Sequence, residues 1–227
     1  MVRSTLDIEN YRSKILSAHD RISEYIHNTP LLSSSAINKI SGANLYFKCE
    51  NFQKIGAFKM RGAINAVLSY SKEERGNGFV THSSGNHAQA VALSSKIANT
   101  KAYIVMPKGA PKIKIKAVKG YGAEVTLCEN NERSRTDTCE KIINETGANF
   151  IHPYDNDKVI LGQSTCSKEL YDEIEKLDYI IPKNSAIVAS NLMEIVLDPD
   201  RKYPMPITLV TELPVFAKSG KVVLPKK

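Results

Sequence analysis

Tryptophan is absent from this chain of 227 residues, and aromatic side chains make up only 7% of it. A platform for stacking nucleic-acid bases has little to be built from. Cysteine is sparse, and Cys49, Cys128, Cys139 and Cys166 lie far apart with no CxxC pair. That spacing argues against a zinc site and against a secreted disulfide framework. The histidines (His19, His27, His82, His87 and His152) show no HxxxH spacing, so no metal ligand set is expected. No apolar run approaches membrane-spanning length. The opening stretch, MVRSTLDIENYRSK, is too polar for a signal peptide. These absences lead to the expectation of a soluble chain in a reducing, cytoplasmic compartment, without nucleic-acid or membrane partners.

The composition is otherwise that of a globular protein, with 42% hydrophobic and 24% charged residues. Such a length holds one large domain or two small ones, each able to bury a core. The net charge of +7 favours an anionic cofactor or a carboxylate-bearing substrate. Its densest run, Lys108, Lys112, Lys114, Lys116 and Lys119, reads as the solvated side of a surface helix.

Ile8, Tyr11, Ile15, Ile22 and Ile26 recur at helical spacing, with Ser4 and Asp7 placed as a capping box. The turn Asn28-Thr29-Pro30 ends that helix. Residues 44–49 read as a strand. Helices are expected near 58–71, 86–98, 111–120, 131–146 and 162–176, alternating with strands at 78–81, 102–106, 124–127, 149–151 and 178–181. This alternation implies an α/β fold, with right-handed crossovers and a parallel sheet covered on both faces. Beyond Ile181 six prolines accumulate without helical periodicity, and only 207–210 and 221–224 look β-like.

Two segments carry chemistry. In FQKIGAFKMRGA (52–63) a small-residue loop enters a helix whose first turn holds Lys59. An amine that attacks a carbonyl must be fixed in place and partly desolvated. A helix N-terminus further disfavours the ammonium form. Alone, Lys59 reads as a surface lysine. In THSSGNHAQ (81–89) a strand runs through hydroxyls and a glycine into a helix, a junction suited to binding a carboxylate or phosphate. Its plainer reading is a serine N-cap before a turn glycine.

Together and in this order, the two segments resemble the lysine motif and the substrate-carboxylate loop of fold-type II pyridoxal-phosphate enzymes. The threonine dehydratase and serine racemase family is the one indicated. The likeness extends to NTPL (28–31), AYIVMP (102–107), YGAEV (121–125), HPYD (152–155) and GQSTCSKEL (162–170), so that it covers about residues 5–181. The resemblance implies the tryptophan-synthase-β-like fold with an incomplete large domain. Residues 1–70 would begin the large domain, 71–152 form a small α/β domain with the substrate loop, and 153–181 return to the large domain. Residues 182–227 remain an unassigned tail.

By the same resemblance Lys59 would hold pyridoxal 5'-phosphate covalently and then move the substrate's Cα proton. Phe58 would pack on the pyridine ring, and Asn86 would bond the ring's phenolic oxygen. Ser83, Ser84, Gly85, Asn86 and His87 would receive the substrate, an amino acid such as serine or threonine. Ser84 stands where threonine dehydratases usually carry alanine and serine racemases carry serine. Its hydroxyl would serve the face opposite the lysine, which racemisation needs and elimination does not. Against this stands a Ser84 that merely caps the helix. Ala57 occupies a position where many relatives have serine. The family admits a divalent cation, but no site for one is visible in this sequence.

The likeness stops at Ile181. The family continues into a tetraglycine-type loop around the cofactor phosphate, whereas Pro182-Lys183-Asn184-Ser185 contains no glycine. Proline lacks the amide donor, and side chains hinder a close backbone approach. The resemblance implies a serine/threonine dehydratase or serine racemase, working by β-elimination to a 2-oxo acid and ammonia, by Cα epimerisation of serine, or by both. The alternative is a truncated family member with impaired catalysis that binds a partner, as a homo-oligomer or beside a full-length paralogue.

Overall fold

The computed structural model describes residues 8–174 and Leu177. The expected capping box at Ser4 and Asp7, the strand at 178–181, the loop at 182–185 and the β-like runs at 207–210 and 221–224 lie outside the described residues.

Helix α1 (Ile8–Ile22) buries Ile15, Ala18 and Ile22, spaced three and four apart on one face. A single 3-10 turn follows, so Ile26 is buried from extended backbone rather than from the helix itself. Strand β1 (Leu31–Ser33) pairs antiparallel with β2 (Tyr46–Lys48), Leu32 facing Phe47. Only the second strand is legible by pattern, because β1 has three residues and directly follows the proline turn.

Between them lies α2 (Ser35–Ser41). The Ser34 hydroxyl accepts the Ile37 amide at its start, and Gly42 closes it at φ 69°. Both caps are in the sequence, yet α2 is too short for its period to register.

Helix α3 (Lys59–Leu68) is almost wholly buried and ends three residues before the expected boundary. The short α4 (Lys72–Gly76) restarts after it from a capping box made by Ser71 and Glu74. The chain then alternates through β3 (Phe79–His82), α5 (Asn86–Ile97), β4 (Ala102–Pro107), α6 (Lys112–Gly120), β5 (Glu124–Cys128), α7 (Glu132–Thr146), β6 (Asn149–Phe150) and α8 (Asp157–Glu173). Helix α8 begins five residues earlier than its sequence period suggests, because the Asn156 side chain caps it on the Val159 amide at 3.1 Å.

Strands β3 to β6 form one parallel sheet in the order β5-β4-β3-β6. Phe79, Ile104 and Met106 face a core built with α3 and α5, while Val80 and Val105 face Cys139 and Ile142 of α7. Helices therefore cover both faces, as the alternation requires. From β3 the chain steps outward through β4 to β5, and then returns to the other side of β3 as β6. The β3–β6 boundary is thus a topological switch point, where the loops leaving two neighbouring strands diverge and open a crevice.

Candidate active site

Both chemical motifs meet at this crevice. The loop leaving β3 is Ser83-Ser84-Gly85, and the loop leaving β6 is His152-Pro153-Tyr154. Helix α3 delivers Lys59 from below. The Lys59 Nζ donates to the Pro153 carbonyl at 2.8 Å and lies 5.3 Å from the Phe58 ring centroid. Burial lowers the Lys59 pKa to about 8. The free amine is therefore far more accessible than that of an ordinary lysine.

The approach to Lys59 is strained. Ile55 has φ 63°, a left-handed conformation that costs a β-branched residue about 1–2 kcal/mol. Gly56 follows at φ 73°, where its lack of Cβ removes that cost. The two left-handed residues turn the chain sharply, so that Ala57 is buried and Phe58 stands at the helix entrance.

At the second motif Ser83 Oγ accepts the Gly85 amide at 3.2 Å, and the Ser83 amide donates to the Val105 carbonyl at 3.1 Å. These bonds fix the loop against β4. Helix α5 starts at Asn86 with Gly85 in the cap position and no side-chain cap, so neither serine caps it. Ser84 is exposed, with its hydroxyl uncommitted to the helix. Asn86 is half-buried on the first turn, and Lys114 of α6 reaches over the loop to within 3.6 Å of where a Gly85 Cβ would stand.

His87 is fully buried. Its Nε2 sits 3.4 Å from the Ile151 carbonyl, an acceptor only, so Nε2 carries the proton and Nδ1 is left a bare acceptor. Nδ1 has no hydrogen-bond partner among the described residues. Burial, reinforced by the Lys59 ammonium nearby, pushes the His87 pKa down to about 3. Lys59 bonds the Pro153 carbonyl and His87 the Ile151 carbonyl, so the two motifs, 28 positions apart, converge on the segment leaving β6.

Around the mouth stand rings from the ends of β3 and β6. The His82 ring stacks on Phe150 at 5.7 Å, and His152 meets Tyr154 edge-on at 4.4 Å. His82 is pushed below its ordinary pKa by burial, then by His152 and the Arg135 guanidinium. The HPYD segment carried a signal for His152 and Tyr154. Nothing in the pattern marked Arg135, whose charge acts on His82 only through the fold. Among the described residues no group of three His, Cys, Asp or Glu side chains is placed to hold a metal ion. No helix among them is long and apolar enough to cross a membrane.

A family model described as pyridoxal-phosphate dependent enzyme matches residues 22–186. The serine racemase of Dictyostelium discoideum is 50% identical over 167 residues, covering 74% of this chain and 52% of that protein. Its crystal structure superposes with a TM-score of 0.80, covering 84% of this chain and 63% of that one. The β-hydroxyaspartate dehydratase of Paracoccus denitrificans is 44% identical over 167 residues, covering 74% of this chain and 53% of that protein. The crystal structure of the T.th. threonine deaminase matches at a TM-score of 0.74 and 32% identity, covering 82% of this chain and 61% of that one. The chain spans about half the length of the curated relatives it matches.

Proposed function

Because the chain belongs to the pyridoxal-phosphate dependent enzymes, we propose that it acts on a hydroxy-amino acid such as serine or threonine. The reaction would be β-elimination to a 2-oxo acid and ammonia, Cα epimerisation, or both. The observation that carries this is the meeting of the lowered Lys59 amine with the neutral, buried His87 and the serine loop at the sheet's switch point.

The described residues fit the carbonyl end of the cofactor. A carbonyl group needs an accessible amine, which Lys59 offers. Lys59, Phe58 and Asn86 would hold it. When bound, the cofactor supplies the electron sink for the pair left as the Cα–H bond breaks.

The chain's own groups do the rest. Lys59 takes the Cα proton from one face. The loop from Ser83 to His87 orients the substrate carboxylate by hydroxyls and by amides at the start of α5. His87 stays neutral, so it adds polarity without charge. Ser84, exposed and not spent on capping, returns a proton from the opposite face when the product is epimerised. Residues 71–152 carry the substrate loop, and 1–70 with 153–181 carry the lysine.

The test is the visible absorbance spectrum after incubation with pyridoxal 5'-phosphate, beside a Lys59→Ala control. A lysine-bound band present in the wild type and absent in the control is the expected result. Turnover of L-serine that persists in Lys59→Ala would overturn the role given to that lysine.

Exposed apolar side chains at Leu32, Ile40 and Tyr46 favour a second reading, association with another copy or with a full-length paralogue. Size-exclusion chromatography decides it. A monomer with no affinity for a full-length relative would eliminate this reading.

A further inference from the structure

The end of the sheet opposite the active site holds a second concavity, independent of the reading above. It is an open basin of about 890 Å³ where the turns entering β4 and β5 meet α4. Its rim carries Lys72, Arg75, Lys96, Lys101 and Lys119, with Tyr121 beside them and no carboxylate among its lining residues. Five like charges around one concavity call for a physical reason.

The plain reason would be neutralisation of helix C-termini, since α4, α5 and α6 all end here. Two observations count against it. The terminal carbonyls are already satisfied by the backbone: Gly78 donates to Arg75 O at 3.0 Å, Ala98 to Ser94 O at 3.0 Å, Thr100 to Ser95 O at 2.9 Å, and Gly122 to Lys119 O at 2.9 Å. The magnitudes point the same way. Each helix end carries roughly half a negative charge, so three ends offset about 1.5 of the five positive charges. More than three remain.

Nor do these cations serve as ion-pair partners. Among the described residues the ammonium groups of Lys72, Lys96, Lys101 and Lys119 have no hydrogen-bond or salt-bridge partner within 4 Å. Lys108, by contrast, pairs with Glu129, and Lys168 with Asp172 at 2.5 Å. Among the described residues the Arg75 guanidinium is anchored only through Nε, which donates to the Ser71 carbonyl at 3.4 Å.

We propose that this basin binds a small oligophosphate anion bearing two or more phosphate groups. The volume falls in the range of small-ligand sites, roughly 300–1,000 Å³. Separated cations around a bowl match several anionic groups on one compact ligand better than a single carboxylate. A nucleic-acid track would be longer and would interleave aromatic rings with the cations, and only Tyr121 lies here. The ligand charge would draw the cations together and relieve their mutual repulsion.

The test is calorimetric titration of the full chain with inorganic tripolyphosphate, which has no carbonyl to react with Lys59. Three proteins are compared: the wild type, Lys101→Glu with Lys119→Glu in the basin, and Lys112→Glu with Lys116→Glu outside it. The two double variants change net charge equally, and all four lysines are exposed. Far-ultraviolet circular dichroism checks that each is folded. Saturable one-site binding in the wild type is expected, weakened roughly tenfold or more in the basin variant and largely kept in the outside variant. Absence of saturable binding, equal loss in both variants, or tighter binding of a single-stranded oligonucleotide than of tripolyphosphate would each overturn the proposal.

Discussion

At the level of single residues, two side chains of the candidate site, Lys59 and His87, are shifted far from their ordinary ranges, and both shifts are open to measurement. Lys59, lowered to about 8 by burial, should show an acylation rate that rises with pH around that value, while exposed lysines lag to higher pH. Residue-resolved mass spectrometry of a pH series checks this. A Lys59 that follows the other lysines would remove the argument for an accessible amine. His87, down to about 3 against an ordinary 6.5, binds fewer protons folded than unfolded throughout that window. Stability contributed by neutral burial is therefore present above about pH 6.5 and is lost as pH falls toward 3. The slope is up to about 1.4 kcal/mol per pH unit. His19, His82 and His152 are also lowered and act with the same sign, so the difference between wild type and His87→Gln isolates this residue. Denaturant melts from pH 7 to 4 should show a shallower loss in the variant. The sequence placed Lys59 and His87 in the right motifs, but their protonation depends on what surrounds them. That became visible only when β3, β6 and α3 converged.

Among the elements, the crossing of α3 and α8 is the tightest contact. A Cβ on Gly162 would stand 2.4 Å from the Arg61 carbonyl and 2.8 Å from the Gly62 Cα, and one on Gly62 would meet the Val159 carbonyl at 2.8 Å. These obstacles are backbone, which cannot step aside as a side chain can. Gly162→Ala gains about 1 kcal/mol of helix propensity but forces two helices apart, at about 1–3 kcal/mol or more. Urea unfolding should show net destabilisation. Gly76→Ala, in α4 with open space around its Cβ position, should be neutral or slightly stabilising. The existence of α3 and α8 was readable from their apolar period. Their mutual approach was not, because a glycine in a helix pattern looks the same whether it faces solvent or another backbone.

For the molecule as a whole, a buried ionic knot joins segments far apart in the chain. Arg61, only two positions after Lys59, bonds Glu50 through Nε and Nη2, both at 2.8 Å, and Glu169 through Nη1 at 2.6 Å and Nη2 at 2.8 Å. Lys48 lies 3.0 Å from Glu169, and Thr29 donates to Glu50 at 2.6 Å. Burial alone would raise the Glu169 pKa, but the hydrogen bond and charge of Arg61 outweigh it and hold the carboxylate below its ordinary range. Arg61→Met strands two buried carboxylates. The expected cost is about 3–5 kcal/mol, read as a lower midpoint in urea at neutral pH. Glu50→Gln paired with Arg61→Met should recover part of it, because one stranded charge is then gone. By itself the sequence determined the alternation of strands and helices, the parallel sheet and the two motifs, since period and turn chemistry are local properties of the chain. It did not determine that Arg61 belongs to a knot, that Lys114 stands over the serine loop, or that five cations from three helices and the turn entering β4 share a basin. Those follow from contacts between residues distant in sequence, and only the tertiary structure decides which of them meet.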